Sequence, residues 1–171
     1  MKIYRGRIPV IADEIARKLV EENAVEVLTE EREEFRLDIE SVLKSYIDTE
    51  RRVHEEAQDV IGKRGLDFSS LNRIKRDIAK KYNFAIGDDA IDWITDQLIE
   101  MLYHTTHVEE VWADNNDIRR ISRPILVKHT TVDDELDVEV RKRIKNLSEG
   151  SVAWDIKYQQ VLNDVKRKKG L

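Results

Sequence analysis

Leu71-Asn72-Arg73-Ile74-Lys75-Arg76 and Leu162-Asn163-Asp164-Val165-Lys166-Arg167 are two versions of one segment. Each sets a β-branched residue three positions after a leucine, with Asn behind the leucine and Lys-Arg at the end. That spacing puts the apolar pair on one face of an α-helix and leaves the basic residues to the other faces. The chain therefore reads as all-α, a bundle of about six to eight helices in two pseudo-repeated halves. The halves are residues 1–86 and 87–171, sharing one core, each closed by a basic helix.

The rest of the composition agrees. The 171 residues include only two prolines and six glycines, and 38% are charged, mostly residues that favour helices. A chain of this size buries roughly 70% of its unfolded surface, so it can hold a core without staples. Cysteine is absent, which excludes disulfides, thiolate metal sites and cysteine nucleophiles and suits a reducing cytoplasm. No apolar run reaches a membrane span, and Met1-Lys2-Ile3-Tyr4-Arg5-Gly6-Arg7 lacks the apolar core of a signal peptide, so the expected location is cytoplasmic. A net charge of −5 argues against general attraction to DNA. The charge is nevertheless segregated: residues 21–40 hold nine acids and two arginines, and residues 63–82 hold seven bases and two acids. Opposed patches suit intramolecular docking, self-association or a charged partner.

Along the chain, residues 1–8 read as an extended arm, and Pro9 suits the first turn of a helix. That helix carries Ile11, Ile15 and Leu19 on one face and ends near Asn23. Val25-Glu26-Val27 alternates like a strand but is too short to count as a sheet. Thr29 caps a long helix with apolar positions from Phe35 to Val60, an interruption at Asp48-Thr49, and an end at Gly62 and Gly65. Ser69 or Ser70 caps the basic helix, and residues 83–87 join the halves. Asp88 or Asp89 caps a helix with Ile91, Ile94, Leu98 and Leu102 in a stripe. Asp114-Asn115-Asn116-Asp117 starts another, Pro124 should kink it or begin a new one, and Thr131 restarts it. Glu149-Gly150-Ser151 is a stop and cap before a final helix with Trp154, Tyr158, Val161, Leu162 and Val165 on one side.

A duplication requires the other elements to match in order. Ile15 to Val20 aligns with Ile94 to Ile99 at an offset of 79, and Phe35, Val42, Leu43 and Ile61 align with Ile118, Ile125, Leu126 and Ile144 at 83. The basic helices align at 91, and the valine-glutamate stretches at 25–27 and 108–111 also correspond.

Chemical constellations are sparse. His104 and His107, with Glu109, Glu110 and Asp114 nearby, have a spacing a metal can use, but the wider ligand pattern is missing, and solvated or capping histidines are the simpler account. His54 and His129 are isolated, and Asp133-Asp134-Glu135 fits a solvated first turn better than a magnesium site. No phosphate-cradling loop, dinucleotide fingerprint or nucleophile elbow occurs. The expectation is a non-enzyme with no cofactor, no metal and no small-molecule substrate. Trp93, Trp112 and Trp154 are expected in the core, with an interface role the second choice. The candidate partner-binding residues are Arg73, Lys75, Arg76, Lys80 and Lys81 in the first basic helix and Lys166, Arg167, Lys168 and Lys169 in the second. Solvated cations, or cations answering the acidic face at 21–40, are the simpler account of them, and phosphate contacts the other.

Val140-Arg141-Lys142-Arg143-Ile144-Lys145-Asn146-Leu147, Glu149-Gly150-Ser151, Trp154-Asp155-Ile156 and Lys166-Arg167-Lys168-Lys169-Gly170-Leu171 together resemble a bacterial family catalogued only as domain of unknown function 507. Ile3-Tyr4-Arg5-Gly6-Arg7-Ile8-Pro9 and Asp96-Gln97-Leu98-Ile99-Glu100-Met101 are similar to it as well. The resemblance implies a bacterial, cytoplasmic, helical protein and brings no activity, cofactor or catalytic residue. The leading expectation is a non-catalytic adaptor or structural protein that binds protein partners, or itself, through charged helical surfaces. The alternative is an RNA- or ribosome-associated factor using helices 71–81 and 162–169.

Overall fold

The computed structural model describes residue 3, residues 5–144 and residues 152–168. Six α-helices and one two-stranded ribbon make up its regular structure, with single 3-10 turns at four helix starts. In order these are α1 (Ile8–Glu21), β1 (Val25–Glu26), α2 (Arg32–Arg64), α3 (Leu71–Lys81), α4 (Ala90–His104), β2 (Glu110–Val111), α5 (Asn115–Arg143) and α6 (Val152–Lys168). A short helix, a two-residue strand, a long helix and a closing helix thus occur twice in the same order. The all-α expectation holds.

Packing is reciprocal. α1 lies on α2 and α5, α4 lies on α5 and α2, α3 lies on α2, and α6 lies on α5. The strands pair antiparallel, Val25 with Val111 and Glu26 with Glu110, so the two valine-glutamate stretches meet each other in a minimal sheet. One core cluster takes residues from α1 through α5, and a smaller one joins Leu136, Val140 and Ile144 of α5 to Tyr158, Leu162 and Val165 of α6.

Burial recurs at a constant spacing. Ile11, Ala12, Ile15, Ala16 and Leu19 are buried in α1, and the residues 83 positions on, Ile94, Thr95, Leu98, Ile99 and Leu102, are buried in α4. In α2, Phe35, Ile39, Leu43, Tyr46, Val53 and Ala57 are buried, and so are Ile118, Ser122, Leu126, His129, Leu136 and Val140 in α5, again 83 apart. At the expected offset of 79, Ile15, Ala16 and Leu19 also correspond to buried residues, Ile94, Thr95 and Leu98, but only 83 is shared with the α2–α5 pair. A one-turn slip keeps an apolar stripe on the same face, so sequence alone does not separate the two registers.

Several boundaries differ from expectation, each for a local reason. Residues 5–7 form a helical turn running straight into α1, because Ile3 and Ile8 are buried on either side of it. The side chain of Asp67, rather than Ser69 or Ser70, caps the turn before α3, accepting from Ser69 N at 2.7 Å. Thr29, Asp88 and Asp89 make no side-chain cap, because 3-10 turns at 29–31 and 87–89 begin those helices. α2 runs through Asp48-Thr49 and Gly62 without a break and stops at Gly65, whose φ of 61° is left-handed. α5 continues across Pro124 and Thr131. Pro124 is on the exposed side, where water can reach the carbonyl that its missing N–H leaves unpaired. Asp114 caps α5 as expected, accepting from Asp117 N at 2.9 Å. Glu149-Gly150-Ser151 lies outside the described residues.

The joint at 82–89 is packed. Tyr46, Phe84 and Trp93 form an aromatic cluster with centroids 4.9–5.8 Å apart, and the Trp93 indole donates to Asn83 O at 2.9 Å. Asn23 and Asn83 have φ of 53° and 49°, and each ends its helix in the same motif. Ala24 N donates to Leu19 O and Asn23 N to Val20 O; Phe84 N donates to Ala79 O and Asn83 N to Lys80 O.

Two polar clusters tie elements far apart in the chain. His129 in α5 is buried, with Nε2 2.7 Å from Glu14 Oε2 of α1 and Nδ1 3.0 Å from Arg7 Nη2. Burial pushes the Glu14 carboxyl up, but hydrogen bonds from Lys128 and His129 outweigh this and hold it below its ordinary value. After α4, the His107 ring contacts Asp38 of α2 at 2.8 Å, and Thr105 donates its hydroxyl to the same carboxylate at 2.5 Å. The hydrogen bond to Asp38 holds His107 above the ordinary histidine pKa against partial burial, and the charges of Asp38, Glu31 and Glu34 add to it.

Two predictions follow from these contacts. Asn83→Ala should lose roughly 1 kcal/mol in urea denaturation because Cβ disfavours the left-handed conformation, whereas Asn83→Gly should lose almost nothing. A raised histidine pKa stabilises fully below the unfolded value of about 6.5 and is lost as pH rises through the folded value. As pH rises from about 6.5, the urea midpoint should therefore fall more in the wild type than in Asp38→Asn, and NMR titration of His107 should give a midpoint above about 6.5.

Candidate interaction surface

The basic helix α3 is built from its turn upward. Gly65 ends α2, Leu66 N donates to Ile61 O at 3.1 Å, and Asp67 starts the turn that leads into α3. Ile74, Ile78 and Ala79 are then buried in the main cluster together with Val53 and Ala57 of α2. With that stripe fixed, Arg73, Arg76, Lys80 and Lys81 are exposed and Lys75 is half-buried. None of these five cations makes an ion pair with a described residue; Arg76 bonds only its own helix, at Asn72 O, 3.3 Å away. Lys75 lies near enough to His54 that burial and the lysine charge together depress the histidine pKa.

These cations do not answer the acids of residues 21–40. Glu21 pairs with Arg17 at 3.2 Å and Lys18 at 3.4 Å, Glu22 with Arg120 at 3.2 Å, and Asp38 with His107. Glu33 and the buried Glu40 share Arg36, and Glu40 also takes Lys44 at 2.6 Å. Glu21, Glu33 and Glu40 take partners one helical turn away, and Glu22 and Asp38 take Arg120 and His107 from the second half, so none reaches α3.

The second basic helix has a different setting. Tyr158, Leu162 and Val165 of α6 are buried against α5, Trp154 stacks on Tyr158 at 4.9 Å, and the Arg141 guanidinium lies 5.4 Å from the Trp154 ring. Lys166 is half-buried, Arg167 pairs with Asp164 at 2.9 Å, Lys168 is exposed, and Lys169 lies outside the described residues. The candidate residues therefore fall on two closing helices, α3 packed on α2 and α6 packed on α5.

A groove of about 510 Å³ runs beside α3. Asn72, Lys75 and Arg76 line one side, Glu50, Ile86, Asp88 and Asp89 the rest, so both charge signs face the same space. Two exposed aromatics were not legible as such. Phe68, at the entry to α3, and Trp112, beside β2, are each 65% exposed, the most open of the large hydrophobic side chains described. Trp112 thus departs from the expected core position, because its N–H bonds Ala24 O at the end of the ribbon and Val111 takes the inner side. Trp93 and Trp154 pack against their clusters as expected.

His104 and His107 do not converge: the first bonds its own helix at Glu100 O, 2.7 Å away, and the second turns to Asp38. His129, read from sequence as isolated, sits in the Glu14–Arg7 cluster, and its only sequence signal is its place 83 residues after Tyr46. The side chains of Asp133 and Asp134 lie outside the described set, while Glu135 is exposed. Among the described residues, no group of three or more His, Cys, Asp or Glu is placed to hold a metal ion, and no helix is long and apolar enough to cross a membrane.

No curated protein matches the chain. A family model described as "Protein of unknown function (DUF507)" matches residues 1–171, and the chain belongs to that family.

Proposed function

We propose that this is a bacterial, cytoplasmic, non-catalytic adaptor that binds a protein partner through the cationic face of α3. The observation that carries the reading is the mixed groove, in which Lys75 and Arg76 face Asp88, Asp89 and Glu50. A protein surface bearing both charges can satisfy such a groove, whereas a polyphosphate strand would meet three carboxylates there. The cations are free to engage because they hold no ion pair among the described residues, and a rim charge of this kind steers encounter and selects partners. The same reading takes the chain as a duplicated unit of short helix, strand, long helix and closing helix. The constant spacing of buried positions and the reciprocal packing support that origin.

The second reading, an RNA- or ribosome-associated factor, is favoured by Phe68. Its exposed ring, in the turn that leads into the basic helix, offers a base a stacking surface. Tyr82 does not add to it, since its hydroxyl bonds Glu56 at 2.8 Å and Arg52 lies 5.0 Å from its ring. Affinity capture at native expression, with and without nuclease, separates the two. The adaptor reading predicts a protein partner that survives nuclease and is lost, by at least tenfold, in Lys75→Glu/Arg76→Glu; recovery only without nuclease would reject it in favour of RNA.

A further inference from the structure

The two most exposed aromatics stand in rims of opposite charge. Trp112 follows Glu109 and Glu110, and the ribbon sets Glu110 directly across from Glu26. Like charges facing each other across an antiparallel pair are unfavourable. Glu26, Glu109 and Glu110 make no ion pair with a described residue. Phe68 opens α3, where five cations are likewise without ion pairs. Each face has the form of a protein contact, an apolar anchor in a charged rim; the ribbon rim is acidic, and α3 offers five cations alongside the carboxylates of its groove.

We propose that the outer face of the β1–β2 ribbon, anchored by Trp112, receives the α3 face of a second copy of this chain. The inference rests on the reading of α3 as a protein-binding face and names that face's partner. Because the two surfaces differ, the contact is head-to-tail and extends into chains or rings rather than stopping at a symmetric pair. Ring and indole exclude water at the centre while Arg73 and Arg76 meet Glu26 and Glu110 at the rim. The opposed glutamates, which repel within one molecule, gain a shared counterion from the next. Screening makes the contact weaken as salt rises.

The test uses the full chain and two surface variants, Glu26→Lys/Glu110→Lys and Arg73→Glu/Arg76→Glu, with folding checked by circular dichroism. In sedimentation at low salt and up to ~200 µM, the wild type should form species larger than the monomer. Each variant alone should associate at least tenfold more weakly. An equimolar mixture should regain association, because the intact α3 face of one variant meets the intact ribbon of the other and the two reversed faces are again opposite in charge. A wild type that stays monomeric, variants that associate like the wild type, or a mixture that forms no complex would each overturn the proposal. A protein captured from cells through Arg76 and Lys75 would leave the adaptor reading intact even then.

Discussion

Each short helix has an apolar stripe too wide for one partner, and this constraint shapes the molecule. α1 buries Ile8, Ile11, Ala12, Ile15, Ala16 and Leu19, two adjacent rows on its surface. Two helices pack on α1: α2, the next helix in sequence, and α5 from the other half. α4 has the same wide stripe and the same need, met by α5 and by α2. The two halves therefore cannot close separately without exposing part of their cores. Truncating a large residue in such a shared layer typically costs about 2–5 kcal/mol, felt on both sides of the joint.

Length then decides what else the chain needs. α2 has 33 residues and α1 only 14, spans of about 50 and 21 Å. The long helix therefore outruns the short ones, and its far end would present Val53 and Ala57 to water. α3 covers that end, and α6 does the same for Leu136, Val140 and Ile144 at the end of α5. A covering helix packs mainly on one long neighbour and turns its basic face outward, so it is the natural carrier of charge. The cationic surface follows from the architecture that the wide stripes impose.

The sequence made the helical class, most helix positions and the order of elements legible, because apolar period and caps such as Asp114 are local signals. Asn23 and Gly65 were readable as helix ends for the same reason. The register between α1 and α4 was not, since stripes slipped by one turn look alike and are buried alike; an offset of 83 is favoured by the matching helix ends Glu21 and His104 and by the α2–α5 spacing. Nor was the setting of His129, whose partners Glu14 and Arg7 lie more than a hundred residues away. At the candidate surface, the residue types of α3 were visible, but their freedom from the acids of 21–40 was not. The exposure of Trp112 escaped for a related reason: a two-residue strand says little about which side it turns inward.

The central claim is that α1, α2, α4 and α5 form one cooperative layer in which neither half is stable alone. Native-state hydrogen exchange in rising denaturant tests it most directly. The account predicts that the core amides of α1 and α4 exchange through the same opening, with equal free energy and equal denaturant dependence, and that Ile15→Ala lowers both together. A smaller opening is expected for α6, which rests on its own cluster with α5. Separate openings for α1 and α4, or an Ile15→Ala effect confined to the first 86 residues, would contradict it.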